Sequence, residues 1–517
     1  IAQGDWRLFF VHRDRLADVT AEDVQAAAEK YLVEPNRTAG LFLPTESANR
    51  VTVPAAPNVA ETVDGYEGQT EVEDGEAMTS DLRETERRVT RHSLPNGMQV
   101  ALLPTKARGN AVYAVFRMRY GSEEALAGHT TAAGMIPALL MRGTKQRDFQ
   151  QLRDDIDALQ STIAFGGGGG RRGSGGSTGV ASGSIVSDRD HYVEVIRLLG
   201  EILQQPTFAE DEFEIIVNRR RSQMEQAKTD PMMSGMIAMG QAMSPWPEDS
   251  IHYVPTMQER LERLNAVTLD EVKDIYAKHY GANQMDVAIV GDFDPDEVLV
   301  VLEEVFGDWQ ASADYQRIAQ PHRQNKPGLI SINTPDKEMA VVGVGSTFEL
   351  QDTDERYPAL VLAGYVLGQS KKSRLLTQLR HEGGLSYSAF GSVSADSFEP
   401  RGSVRGIAIC APQNAPEALE TLRAAIKSWI EEGITQEELD DAKQSYVLNM
   451  ERRNAGEQFL AGQLAQGLEL DRTLEFRAQL LDQIQALTLE DVQQALAELM
   501  ANLEMSELMA GSINEPS

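Results

Sequence analysis

An arginine and a tyrosine seven residues apart, Arg380 and Tyr387, are the pair in this chain best suited to act on a carbonyl group. They stand in the segment Ser373-Arg374-Leu375 to Leu379-Arg380-His381-Glu382-Gly383-Gly384-Leu385-Ser386-Tyr387, which reads as a helix end, a Gly-Gly break and the start of a strand. That order can aim a fixed guanidinium and a phenol hydroxyl at one point, an arrangement suited to polarising a carbonyl or holding an oxyanion. The same residues also fit a helix cap, with Arg at the negative end of the dipole and Tyr half-buried in a sheet. Spacing alone leaves both readings open.

Two other features invite chemistry and give less. The glycine-rich run Gly166 to Gly170, with Arg171-Arg172 and Gly173 to Gly179 behind it, lacks the Gly-Lys-Ser/Thr ending of a phosphate loop. It is read as a flexible hairpin or lid between two strands. The eight histidines, His12, His92, His129, His191, His252, His279, His322 and His381, never fall within four residues of one another, so no helix presents a His pair to zinc. A site assembled from distant residues stays open. Asn36-Arg37-Thr38 is a formal glycosylation sequon, read here as a turn.

Composition narrows the classes. With 48 basic against 79 acidic side chains the net charge is −31, which disfavours nucleic acid as a partner because phosphate binding needs clustered Lys and Arg. A 41% hydrophobic content over 517 residues supplies cores for two to four domains. The one cysteine, Cys410, excludes an internal disulfide and a Cys-based zinc cluster. No apolar run of about 18 residues and no basic-then-apolar leader is present. The chain opens at Ile1 in the apolar stretch Trp6 to Val11 and is read as a downstream piece of a longer protein.

The elements that must position these residues repeat. Val19-Thr20-Ala21-Glu22-Asp23-Val24, Val267-Thr268-Leu269-Asp270-Glu271-Val272 and Leu487-Thr488-Leu489-Glu490-Asp491-Val492 are one phrase three times, recurring after 248 and then 220 residues. In each, Thr caps a helix whose first turn holds acids, where the dipole favours them. Each helix leads towards a strand: Asn36 to Pro44, Met285 to Gly291, and more weakly Leu503 to Ile513. The acid-rich helices Phe208 to Gln226 and Ile434 to Arg452 echo each other as well.

The resulting organisation is a tail of a preceding homologous domain over 1–47, an acidic linker over 48–87, a domain over 88–308, a connector over 309–327 and a last domain over 328–517. Within the linker, Val51 to Leu82 holds eight acids and no Lys or Arg. Leu94-Pro95-Asn96-Gly97-Met98-Gln99-Val100 reads as strand, turn, strand. In the last domain Ile330 to Val344 reads as strands, Tyr357 to Leu367 and Ser373 to Leu379 as helix, and Gly402 to Cys410 as strand. The predicted fold class is α+β: repeated domains of about 200 residues, each a mostly antiparallel sheet with helices on one face.

The repeated domains, Leu94-Pro95-Asn96-Gly97, the run His279-Tyr280 to Val290-Gly291-Asp292-Phe293, and Arg380 to Tyr387 together resemble the pitrilysin and insulinase family of zinc peptidases, the inverzincins, over nearly the whole chain. The resemblance implies four homologous α+β domains in two linked halves that close around a chamber, of which this chain would be the second. It also implies a zinc motif His-x-x-Glu-His after a Gly-Ser turn and before a Gly-Thr. Gly121-Ser122-Glu123-Glu124 and Arg142-Gly143-Thr144 match those flanks, so the three functional places fall at Gly134, Pro137 and Ala138. The third ligand falls at Arg219 by register, or at Glu214 if the register shifts. Gly and Ala cannot bind a metal and Pro cannot act as a base, so this copy carries no metal and His129 is an ordinary polar residue.

The resemblance further implies that Arg380 and Tyr387 act in trans on the substrate carbonyl at the zinc site of the other half. The expected function is the non-zinc half of a zinc metalloendopeptidase degrading peptides in a closed chamber, with no cofactor in this chain and zinc in the partner half. The expected partners are that zinc-bearing half, from the same precursor or a homologous subunit, and peptides. The expected location is periplasmic or otherwise secreted in a bacterium, with the cytoplasm left open. The alternative is a non-catalytic scaffold or peptide-binding homologue.

Overall fold

Alternation in Ala-Val-Tyr-Ala-Val-Phe-Arg-Met-Arg puts every second side chain of Ala111–Arg119 out of water, and this strand lies at the heart of the first of two sheets. The structure, a computed structural model, describes residues 5–40, 59, 63–66, 74–167, 178–500 and 503–513. It divides into two units, 1–73 and 74–517.

In the first unit the helices Arg7–Ala17 and Ala21–Tyr31 follow each other, and Thr20 and Asp23 form a reciprocal cap at the start of the second. Leu8, Val11 and Val63 make a small cluster, while Ala21–Tyr31 buries no residue. The strand expected over Asn36 to Pro44 is not seen where it is described. Residues 34–36 form a single tight turn and 37–40 are irregular, and 41–44 lie outside the described residues. A strand needs a ladder to satisfy its backbone groups, and among the described residues of this unit no other strand offers one.

The second unit holds two sheets. The first contains β1 (Thr90–Ser93), β2 (Gln99–Pro104), β3 (Ala111–Arg119), β4 (Thr162–Gly167), β5 (Val180–Asp188) and β6 (Met285–Gly291) in the order β1-β2-β6-β3-β5-β4. The second contains β7 (Gly328–Asn333), β8 (Ala340–Phe348), β9 (Ser386–Ala395), β10 (Gly402–Cys410) and β11 (Ser506–Gly511) in the order β7-β11-β8-β10-β9. Only the pairs β2/β6 and β7/β11 are parallel. Apart from β1, which only the first sheet has, the two sheets follow one strand order, and in each the strand after the repeated Thr-capped helix slots in beside the first long strand. The helices Leu269–His279 and Leu489–Met500 lead into β6 and β11 in this way. Ile330 to Val344 is indeed two strands, but β11 lies between them. The flanks of the glycine-rich run are the antiparallel neighbours β4 and β5, while 168–177 themselves lie outside the described residues.

Each sheet carries helices of its own sequence half on one face. Around the first sheet, Tyr192, Ile196, Phe213 and Phe306 pack with Phe116 and Val287; around the second, Trp429, Leu422 and Leu360 pack with Val342 and Ala408. The opposite faces are covered by exchange. The helix Pro231–Met243, from the first half, lays Met239 and Met243 on Val341, Ile407 and Leu508 of the second sheet. The helix Glu457–Leu470, from the second half, lays Leu460 and Leu464 on Leu103 and Val290 of the first. Burying a large apolar side chain stabilises by about 1.5–3 kcal/mol, so two such seams lock the sheets into one body. Gly345 permits one seam: a Cβ there would stand 2.9 Å from both Met239 Cε and Met243 Sδ.

One boundary moves. The acidic linker read as 48–87 ends earlier, because residues 74–87 fold onto the second unit: Glu76 N donates to Lys106 O at 2.7 Å, and Leu82 is buried beside Ala101 and Leu103. One apolar residue at the right place outweighs the solubility of its acidic neighbours. The connector 309–327 is likewise pinned, since the buried Asn325 side chain donates to Glu504 O and Ser506 Oγ, both at 2.9 Å. Its Oδ1 accepts from Ser346 Oγ at 3.0 Å.

Under the exchanged helix Glu457–Leu470 lies an ion cluster. Asp286 is fully buried, accepts from Arg119 Nη2 at 3.0 Å, and leaves Oδ2 without a partner; beside it Arg117 pairs with Glu469 at 2.5 Å. Burial outweighs Arg119 and pushes the Asp286 carboxyl up to about 6. An aspartate in the unfolded chain titrates near 4, so between about pH 4 and 6 only the folded state holds this proton, and stability falls as pH rises through that window. Wild type relative to Asp286→Asn is expected to lose about 2–3 kcal/mol between pH 4 and pH 7. Denaturant unfolding at both pH values measures it, and a difference that does not change with pH would refute the assignment.

Candidate functional site

Arg380 and Tyr387 are held by a stack of close backbone contacts. The helix Arg374–Leu376 continues through a wide turn to Glu382, anchored by buried Leu375 and Leu379 and by a fork from Arg374 to Glu438 at 2.5 and 2.6 Å. It therefore runs three residues past the expected end at Leu379. Gly383 N donates to Gln378 O at 3.0 Å and Leu385 N to Leu379 O at 2.9 Å, closing the helix end. Gly384 has φ +59, the left-handed conformation that glycine adopts without steric cost. Gly384→Ala is expected to cost about 1 kcal/mol in unfolding free energy through that conformation alone, because nothing within 4 Å would oppose the methyl. A loss above about 3 kcal/mol would point instead to a packing role.

The strand β9, which carries Tyr387, is an outer strand of the second sheet and, among the described residues, pairs only with β10. Behind it runs the helix Tyr357–Gly364 and its wide-turn continuation Tyr365–Gln369, shorter as a regular helix than the expected Tyr357 to Leu367. A Cβ on Gly364 would meet Val393 at 3.0 Å, and one on Gly368 would collide with the backbone of Gly391, so helix and strand touch directly. On this rigid bed Arg380 is exposed and Tyr387 is 61% exposed. Neither side chain has a hydrogen-bond or ion-pair partner among the described residues, so the half-buried Tyr of the structural reading is not what is seen. Both groups keep their full donor capacity for a ligand.

The places where the resemblance would put a zinc motif look different. Gly121, at φ +74, and Ser122, which accepts from Ala125 N at 3.1 Å, start a short helix as the flank predicts. The following helix is broken into Thr130–Ala133 and Ile136–Leu140, with Gly134 exposed in the gap, Pro137 buried in the first turn of the second piece and Ala138 partly buried. Opposite lies the helix Glu210–Ala227, on which Arg219 and Glu214 are both exposed. The side chain that reaches the gap is Arg220, whose Nη2 donates to Gly134 O at 3.0 Å. Burial pulls its pKa down, yet no carboxylate pairs with it among the described residues. The helical period that buries Phe213, Ile216 and Val217 carries on to Arg220, so the sequence held the sign that Arg220, not Arg219, faces this gap. His129 pairs with Glu271 at the surface. A glycine, a proline, an alanine and an arginine give zinc no donor, so these residues do not fit a metal. No group of three His, Cys, Asp or Glu side chains able to hold one occurs among the described residues.

This arrangement places the chain among known proteins. Residues 266–446 match the family described as Peptidase M16 inactive domain. The non-peptidase homolog YmxG of Helicobacter pylori is 23% identical over 307 residues, covering 59% of this chain and 68% of that protein. Two further curated relatives, both uncharacterized zinc proteases, are matched over 44% of their length. Among solved structures, a peptidase M16 inactive domain from Pseudomonas fluorescens superposes with a TM-score of 0.70 at 20% identity, over 82% of this chain and 97% of that one. The periplasmic protease PqqL of Escherichia coli superposes at 0.67 and 13% identity, over 95% of this chain and 50% of that one. The protein has an M16-like fold, and its residues 266–446 are similar to the peptidase M16 inactive domain.

Proposed function

We propose that this chain is the non-zinc half of a zinc metalloendopeptidase, working with a zinc-bearing half supplied by the same precursor or by a homologous subunit. The observation that carries the reading is the pair Arg380 and Tyr387, exposed and unpartnered, Arg380 at the end of the wide-turn helix and Tyr387 on the outer strand β9 that follows it. The match to half of a periplasmic protease and to an inactive domain supports the division of labour. The open side of β9 would let a peptide add as a further strand, with backbone hydrogen bonds giving affinity and little side-chain selectivity. Arg380 and the Tyr387 hydroxyl would donate to the substrate carbonyl oxygen, strengthening as it takes up negative charge. Zinc would belong to the partner half, and a chamber closed by the two halves would restrict substrates to peptides and unfolded segments.

The same likeness supports a periplasmic location, and no described helix is long and apolar enough to cross a membrane. A second reading, a peptide-binding scaffold without turnover, is favoured by the relative named as a non-peptidase homolog. The test mixes this chain with its upstream half and follows a quenched generic peptide. Cleavage by the mixture and by neither half alone is expected. No cleavage by a zinc-loaded mixture would replace the first reading with the second.

A further inference from the structure

Far along β9 from Tyr387, about 20 Å away at the strand rise, the sheet end forms a second site that the pair does not use. A cavity of about 120 Å³ lies between the connector, the C-terminal end of the Pro231–Met243 helix and the ends of β8, β9 and β10. Arg323, Arg401 and Arg405 line it, with His322, against a single carboxylate, Asp396. This concentration of cations is unusual in a chain of net charge −31.

Of the neighbouring acids, Asp396 and Glu399 are already engaged. Asp396 accepts from Phe398 N at 2.9 Å, from Glu399 N at 3.2 Å and from Arg401 Nη2. Glu399 pairs with Arg317 at 2.5 Å, and Glu349, 76% exposed, reaches His322 Nδ1 only at 3.8 Å. Arg323 lies 4.0 Å over the Trp246 ring, which fixes its guanidinium. Arg405 has no ion-pair or hydrogen-bond partner among the described residues, and its Nε is buried. Arg401 Nε and His322 Nε2 are buried without partners too. Burial and the nearby Arg401 pull the Arg405 pKa down, as expected for a cation lacking a counter-charge.

Two buried guanidinium N–H groups without partners, with the unpartnered His322 Nε2 beside them, line one cavity and call for an acceptor of negative charge. Planar guanidinium forks match a planar carboxylate. We propose that this cavity is a carboxylate-binding site, with Arg405 as its principal donor and Arg401 and His322 completing it. The carboxylate can be the C-terminus of a peptide or that of a small free acid. The site stands whether or not Arg380 and Tyr387 act in catalysis.

The test is calorimetric titration of the full chain at low ionic strength with an N-acetylated pentapeptide bearing a free C-terminus, its C-amidated twin, acetate and inorganic phosphate. The free-acid peptide is expected to bind at least about tenfold tighter than the amidated one, and Arg405→Gln to lose a similar factor, as removal of a charge-assisted hydrogen bond requires. Arg405→Lys should keep part of the affinity. Acetate competing on equal terms assigns the site to small acids, and competition by the peptide alone assigns it to chain termini. Equal binding of the two peptides together with no acetate binding, phosphate tighter than any carboxylate, no binding at all, or full affinity in folded Arg405→Gln overturns the proposal. Should Arg405→Gln fail to fold, the comparison of peptide with amide decides alone.

Discussion

Tyr387→Phe in the proposed two-half enzyme is expected to lower kcat about a hundredfold with zinc content unchanged, the usual effect of removing one oxyanion donor. The phenol hydroxyl is the only atom group removed. Because Tyr387 is 61% exposed and bonds to nothing else described, unfolding free energy should stay within about 0.5 kcal/mol of wild type. Arg380→Ala should act on the same step, and the double variant should lose less than the product of the two single losses if the pair serves one oxygen. Steady-state cleavage of a quenched peptide, with metal analysis of each preparation, measures all three. Unchanged kcat in Tyr387→Phe would remove the pair from the chemistry and leave this chain as a wall of the peptide-binding space.

The second large effect concerns what holds that pair still. Trp429 is fully buried, and its Nε1 donates to Ala363 O at 3.0 Å, on the helix whose Gly364 and Gly368 touch β9. Trp429→Ala is expected to destabilise the second unit by about 3–5 kcal/mol, from the cavity and from the carbonyl left without its donor. Trp429→Phe fills most of the space and should cost about 1–3 kcal/mol for the unpaired carbonyl. Denaturant unfolding of the full chain measures both. A loss below about 1.5 kcal/mol in Trp429→Ala would mean that the helix can collapse into the gap, and that β9 is less firmly supported than its glycine contacts suggest.

The sequence by itself determined the repeated unit and most of its elements. The Thr-capped, acid-first phrases at 268 and 488 form the helices expected of them, and the strands after those helices occupy equivalent places in the two sheets. Gly402 to Cys410 is a strand over those same residues, and the helix, Gly-Gly break and strand around Arg380 and Tyr387 were legible because caps and glycine turns are local. The absence of ligand chemistry at Gly134, Pro137 and Ala138 is likewise written in residue type.

The tertiary structure decided which faces meet. Pro231–Met243 is an apolar, methionine-rich helix, and only the fold shows that it covers the other half's sheet while Glu457–Leu470 returns the contact. A hydrophobic stripe specifies burial without specifying a partner, since the hydrophobic effect has no direction. For the same reason, acid content places residues 74–87 with the linker, whereas the burial of Leu82 ties them to the second unit. The cavity of Arg405, Arg401 and His322 gathers side chains from segments about 80 residues apart in sequence, and what marks it is the donors left unpaired there. Such an imbalance exists only once the other groups have found their partners.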